Sequence, residues 1–400
     1  VGDYLVAPAI DVGAIDEDDK AHLASIDDTS RVFVVTSNSN ILFAEPSHIL
    51  FSNNRTLMAQ SFEPGSRRLL GEPFPIANNG GTFPLIQLGD FSYSPAGILT
   101  TGLGRGVNRR YAWFDRKGTS LGSACPPGNY FDIGISPSGN QAVIQKVDVQ
   151  TNNSDIWTLD IRRNLISRFT FDEAIDDDPA WSADGKYIYY SNAAGTAYNV
   201  YRKAANGIGT PEMITKPGKS QKPRDCSMDG KYLLYEVTDP ITHLDAWVLP
   251  LNEPDKAFPY LQSTFDEMYP QFSPDGKWVV YASNESGKFE IYVQSFPAGS
   301  GRWQVSTNGG SQPRWRRDGK ELFYIASDLK LMSVPIRSGA AFDFGLAEPL
   351  FQTRIDNYTA PNRYVVVENG QKFLINMPVD EELINPITVS MYPFNRENAQ

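Results

Sequence analysis

The sequence predicts an all-β fold, a β-propeller of four-stranded antiparallel blades, on three observations. A short apolar run, a Ser-Pro-Asp-Gly-like turn and a second apolar run recur seven times, most clearly over residues 269–281 (YPQFSPDGKWVVY). Asp-Gly or Asn-Gly between apolar runs marks a hairpin, because glycine takes the left-handed backbone without steric cost. The turn glycines Gly97, Gly139, Gly185, Gly230, Gly276, Gly319 and Gly370 follow one another at steps of 42, 46, 45, 46, 43 and 51 residues. A spacing near 45 residues is the mark of a repeat architecture. No stretch carries a 3.6-residue apolar period, so almost no helix is expected.

Along the chain, residues 1–30 form an N-terminal segment. In it, residues 3–6 and 22–25 read as the second and third strands of a further unit. On that reading the chain begins inside a blade, as a processed protein or as a piece of a longer one. Residues 40–43, 48–51 and 56–59 supply three strands of a first blade. Each later unit opens with its glycine hairpin. The flanks are aromatic or β-branched, as in Pro179-Ala180-Trp181 before a turn and Tyr187-Ile188-Tyr189-Tyr190 after it, which suits half-buried strands. A third run follows, such as Ile156-Trp157-Thr158-Leu159 or Ile291-Tyr292-Val293-Gln294, and a weaker fourth closes the unit, as in Arg168-Phe169-Thr170. The last unit, from Tyr364 to Met391, has three strands, and residues 31–35 can supply its fourth. That pairing would close a ring of eight blades and remove two exposed edges. The propeller then occupies residues 31–393 with a tail at 394–400. Seven blades, or part of a longer tandem propeller, are the alternatives.

A closed ring lets 400 residues form one domain, since each blade buries its faces on its neighbours. The net charge of −11 argues against nucleic-acid binding. No apolar run approaches the ~20 residues needed to span a bilayer. The two cysteines, Cys125 and Cys226, lie two units apart, which makes a bridge between them doubtful.

The pattern W-S-x-D-G-K followed by an Ile-Tyr/Trp strand resembles the TolB-type, WD40-like (PD40) propeller repeat. Trp181-Ser182-Ala183-Asp184-Gly185-Lys186 and Phe272-Ser273-Pro274-Asp275-Gly276-Lys277 carry it best. The run from Ser306 to Tyr324 is further similar to the propeller region of acidobacterial serine/threonine-kinase-like proteins, as are residues 56–62 and 154–157. The resemblance implies a bacterial sensor or interaction module outside the cytoplasm, periplasmic or secreted. It implies no kinase activity, because no phosphate-cradling Gly-rich loop and no catalytic loop are present.

Chemistry-bearing patterns are few. Gly118-Thr119-Ser120-Leu121-Gly122 fits G-x-S-x-G, but that motif needs a strand-to-helix turn, and here it reads as the hairpin between a blade's third and fourth strands. His22, His48 and His243 are scattered and read as surface or edge residues. Asp176, Asp177 and Asp178 are the one carboxylate cluster that could take Ca²⁺, although their spacing matches no calcium loop, and no metal or other cofactor is expected. Inner-strand starts should reach one mouth of the axial channel. Tyr130, Asp132, Asp177, Asp178, Lys222, Arg224, Glu267, Tyr269, Gln312 and Arg314 are therefore the expected ligand- or partner-binding set, and no catalytic residue is expected. The expected function is a non-enzymatic scaffold that binds a protein or peptide, as a subunit of a larger envelope or extracellular assembly. A metal-dependent lactonase or lyase at the channel mouth and a purely structural lattice subunit are the alternatives.

Overall fold

The computed structural model describes residues 108–148, 151, 153–193, 197–299, 301–337, 341–355 and 362–379. Nearer the ends it describes 4–8, 20–25, 31–36, 42–44, 47–53, 56–63, 66, 68–78, 82–83, 88–89, 91–94, 97–101 and 388–391. Two compact units emerge, residues 107–379 and residues 1–106 with 380–400.

The described residues of 107–379 form six antiparallel sheets. The first blade is Tyr130–Ile135, Gln141–Val147, Ser154–Asp160 and Leu165–Arg168. The second is Asp176–Trp181, Tyr187–Asn192, Asn199–Ala204 and Glu212–Met213. The third is Gln221–Cys226, Tyr232–Asp239, His243–Pro250 and Phe258–Leu261. The fourth is Glu267–Phe272, Trp278–Ser283, Glu290–Ser295 and Arg302–Gln304. The fifth is Ser311–Trp315, Glu321–Ile325, Lys330–Arg337 and Glu348–Gln352, with Asp343–Phe344 added at its edge. The sixth takes strands from both ends of the unit: Tyr364–Val367 and Lys372–Pro378, then Arg109–Asp115 and Ser120–Ser123. Successive innermost strands pack on one another, and the sixth packs on the first, so this unit is a closed ring of six blades.

The repeated turn residues explain each inner hairpin. Gly185 sits at φ +71 and Gly276 at φ +70, where a Cβ would be strained. The Ser182 hydroxyl donates to Asp184 Oδ1 at 2.8 Å and accepts from the Tyr187 N–H at 2.9 Å. Ser227 with Asp229 and Ser273 with Asp275 repeat that geometry. Six apolar clusters fill the six blade junctions. Examples are Val143, Ile156, Trp181, Ile188 and Tyr190 between the first and second blades, and Phe323, Leu331, Tyr364 and Phe373 between the fifth and sixth. Each such side chain contributes about 1.5–3 kcal/mol on burial. A polar clasp reinforces the last junction. Arg116 donates to Glu321 at 2.5 Å and to the Gly370 carbonyl at 3.0 Å, and Arg316 donates to Glu321 at 2.6 Å.

In the other unit, Leu42–Ala44, His48–Asn53, Thr56–Glu63 and Arg68–Asn78 form a four-stranded sheet. Phe91–Tyr93, Ile98–Thr101 and Thr388–Met391 form a three-stranded sheet. Another joins Tyr4–Pro8, Lys20–Ser25 and Arg31–Thr36, and Thr82–Phe83 pairs with Leu88–Gly89.

The all-β propeller expectation holds, and three details change. The closed ring counts six blades among the described residues, not eight. Its closing strand is Arg109–Asp115; Arg31–Thr36 pairs with Lys20–Ser25 instead. Thr388–Met391 pairs with Ile98–Thr101 and does not complete the sheet of Tyr364. The physical reason is that an apolar alternation specifies a strand and its buried face, but any neighbouring edge of the right pattern can accept it.

Candidate functional site

The first halves of the innermost strands carry mostly buried side chains. Five of them carry a bulge, marked by register shifts at Tyr130/Ile133, Asp177/Ala180, Pro223/Asp225, Met268/Gln271 and Ser311/Arg314. Asp178, Tyr269 and Gln312 occupy the bulges at φ +52, +57 and +52, each followed by a proline that donates no hydrogen bond. The side chains there bond one another. Arg224 donates to Asp178 at 2.8 Å and to Glu236 at 2.7 Å, and lies 3.4 Å from Asp132. Glu236 also accepts the Tyr269 N–H at 2.7 Å, and Lys222 lies 3.5 Å from Asp178. Gln312 accepts the Arg363 N–H at 2.7 Å, and Tyr364 donates to the Gln312 carbonyl at 2.9 Å.

This packing sets the ionisation. Burial pushes Asp132 up to about 6 against the pull of Arg224. Burial also works against ionised Asp178, but Lys222 and Arg224 outweigh it and hold that carboxyl below its usual range. Burial pushes Asp177 to about 7, helped by the Asp178 charge, and burial pushes Asp176 and Glu267 to about 7. Burial opposes the Arg224 charge, but Glu236, Asp178 and Asp132 hold its pKa above the usual value.

The three aspartates do not converge. Asp176 accepts from Asn192 at 2.7 Å, Asp177 accepts from Ser154 at 2.6 Å and from Gln145, and Asp178 faces the two cations. Among the described residues no group of three or more His, Cys, Asp or Glu side chains is placed to hold a metal ion. His48, expected at a surface or edge, is buried between Ser47 and Ser61, whose hydroxyls lie 3.1 and 3.2 Å from its two ring nitrogens. Burial lowers its pKa. His243 is exposed, and the side chain of His22 lies outside the described residues. Cys125 and Cys226 are free and buried. The G-x-S-x-G segment is the outer hairpin of the sixth blade, running from Arg109–Asp115 into Ser120–Ser123.

The second halves of the same strands surround an open funnel of about 760 Å³ on the ring axis, lined by all six blades. Position five before each turn glycine lines it: Gly134, Ala180, Asp225, Gln271, Arg314 and Val365. Val365, Gly134 and Ala180, on consecutive blades, make a small apolar arc. Asp225, Gln271 and Arg314 make a polar one. Two of the polar residues reach across to cap the next blade: Asp225 accepts the Phe272 N–H at 2.8 Å and Gln271 accepts the Trp315 N–H at 2.9 Å. Burial pushes Asp225 to about 7. Arg314 is different, since a guanidinium cannot accept. Its one direct hydrogen bond among the described residues goes to the neighbouring Pro313 carbonyl at 3.1 Å. Burial lowers its pKa, against the pull of Tyr364, Asp132 and Asp225. The rim consists of the inner turns, with Ser138, Met228, Pro274, Arg317 and Asn369.

Of the ten residues expected at a channel mouth, Arg224 and Arg314 line this funnel. Tyr130, Asp132, Asp177, Asp178, Glu267, Tyr269 and Gln312 are buried, and Lys222 is half-buried. Asp225, Gln271, Trp181 and Trp315 were missed. Aligning the repeats on their glycines would have placed the first two in register with Arg314.

No family model matches the chain. Its structure is similar to that of a TolB-type protein from Agrobacterium tumefaciens, with TM-score 0.55 and 17% identity over 68% of this chain and 99% of that one. A TolB from Acinetobacter baumannii matches with TM-score 0.44 and 16% identity over 88% of this chain and 80% of that one. The fold is thus a TolB-like β-propeller. Among the described residues no helix is long and apolar enough to cross a membrane.

Proposed function

We propose that this chain is a non-enzymatic propeller that works outside the cytoplasm and binds a segment of a partner protein in the axial funnel of residues 107–379. One observation carries this reading: side chains in the first halves of the inner strands are mostly buried, while the second halves frame a concavity of ligand-binding size with apolar and polar arcs. The network in the first halves has its charges committed to each other, which supports a structural role for it. The TolB-like fold agrees with this reading, but fold alone does not assign function.

Photo-crosslinking in the native cell tests the proposal. A crosslinkable side chain at Ala183 or Val367, both lining the funnel, should capture a discrete protein. The same group at exposed Leu165, on an outer strand, should not. Equal adducts from all three positions, or adducts from Leu165 alone, would refute it.

A further inference from the structure

The funnel has a charge opposite to that of the chain. In a protein of net charge −11, the described residues of the lining hold five cations, Arg162, Arg224, Arg314, Arg317 and Lys372, against two carboxylates, Asp225 and Glu368. Some of these cations are committed. Arg224 is locked to Asp178 and Glu236, and Lys372 lies over the Trp113 ring and 3.8 Å from Glu368. Arg162 and Arg317 are exposed at the rim. Arg314 alone combines depth with open donors. It stands where the preceding blades place acceptors, it forms no ion pair among the described residues, and its fork of N–H groups has one partner, a backbone carbonyl. Asp225 is already engaged with the Phe272 N–H, and Asp132 faces Arg224.

A planar guanidinium with free donors beside a low-dielectric wall matches a carboxylate, which it can grip with two parallel hydrogen bonds. The apolar arc of Val365, Gly134 and Ala180 runs from the adjacent sixth blade to the second blade opposite Arg314, ready for the uncharged part of the same ligand. A phosphate dianion fits less well, because Asp132 and Asp225 act electrostatically on Arg314 and would repel its second charge.

We infer that Arg314 is the anchor for a carboxylate of the bound peptide, supplied either by a free C terminus or by an Asp or Glu side chain. This rests on the funnel being the partner site.

The test uses the whole chain and defined probes, with affinity read by calorimetry. The probes are penta-alanine as the free acid, penta-alanine amide, Ala-Ala-Glu-Ala-Ala amide, and inorganic phosphate. The free acid, the Glu-containing amide, or both should bind, and penta-alanine amide should bind at least about tenfold more weakly, as expected for loss of a charged hydrogen bond. Which of the two acids binds tells the C-terminal source from the side-chain source. Arg314→Gln should weaken the acid probes at least about tenfold and leave the amide unchanged. Arg314→Lys keeps the charge but loses the fork, and should fall between. Acid probes that bind no better than the amide, affinities unchanged in Arg314→Gln, or tighter Arg314-dependent binding of phosphate would overturn the inference. If the crosslinks from Ala183 and Val367 persist while the acid probes fail, the partner site stands and only the anchor falls. If those crosslinks are absent, both fall.

Discussion

Each innermost strand has two halves with opposite characters. The first halves bring Asp132, Asp178, Arg224 and Tyr269 together in a packed network. The second halves, a few residues on, open onto the funnel with Asp225, Gln271 and Arg314. Both lie close to the same axis, so nearness to the axis does not make a side chain available. A bulge with left-handed residues turns side chains toward neighbouring blades, whereas beyond the bulge the strand frames open space. Arg224 and Arg314 state the contrast most simply, since one has three carboxylates around it and the other makes no ion pair among the described residues.

The largest effect should separate those two arginines. Arg224→Met leaves Glu236 buried without its cation and Asp178 with only Lys222 at 3.5 Å, and should cost about 3–5 kcal/mol in urea unfolding. Arg314→Gln breaks no ion pair among the described residues and should cost no more than about 1 kcal/mol. Equal losses would erase the distinction between the halves. Next comes Glu321→Ala at the polar clasp, which strips Arg116 and Arg316 of their shared acceptor and should cost about 2 kcal/mol. Hydrogen exchange should then quicken first in residues 109–123 and 364–378.

The pH dependence is smaller and has a definite sign. Asp176, Asp177, Asp225 and Glu267 are pushed to about 7, above the roughly 4 of an unfolded carboxyl. Their folded forms hold protons more tightly, so their stabilisation is complete below pH 4 and is lost as pH rises through 7. The urea midpoint should therefore fall from pH 5.5 to pH 8, and Asp225→Asn should flatten the slope. Asp178 acts in the opposite sense, but its contribution is lost only in acid, outside that window. A midpoint that rises from pH 5.5 to 8 would contradict the burial of these groups. The smallest effect is a null one. Cys226 borders the funnel yet is buried, with its thiol pushed to about 12, and burial raises Cys125 as well. Iodoacetamide at pH 8 should label neither until the ring unfolds.

The hairpins were readable because Ser, Asp and Gly do local work that a single strand pair reveals. Ser182, Asp184 and Gly185 bond within their own turn. The ring size was not readable. Tyr111 and Trp113 announce a strand, but only the fold shows that Lys372–Pro378 is its partner. The longest step, from Gly319 to Gly370, hides the extra edge strand of the fifth blade, Asp343–Phe344. The site was half readable for a related reason. Their positions on the innermost strands placed Arg224 and Arg314 near the axis, but which one is neutralised depends on Asp178 from the preceding blade and Glu236 from the neighbouring strand.

The sixth blade, assembled from both ends of residues 107–379, has a mechanical consequence. Arg109–Asp115 lies antiparallel along Lys372–Pro378, and the Val379 N–H bonds the Asn108 carbonyl at 2.9 Å. The polypeptide thus enters and leaves the ring side by side, as it would a tight loop. Tension drawn through the flanking chain would fall on this one ladder, which would act as a fuse and give way before the other five sheets felt the pull.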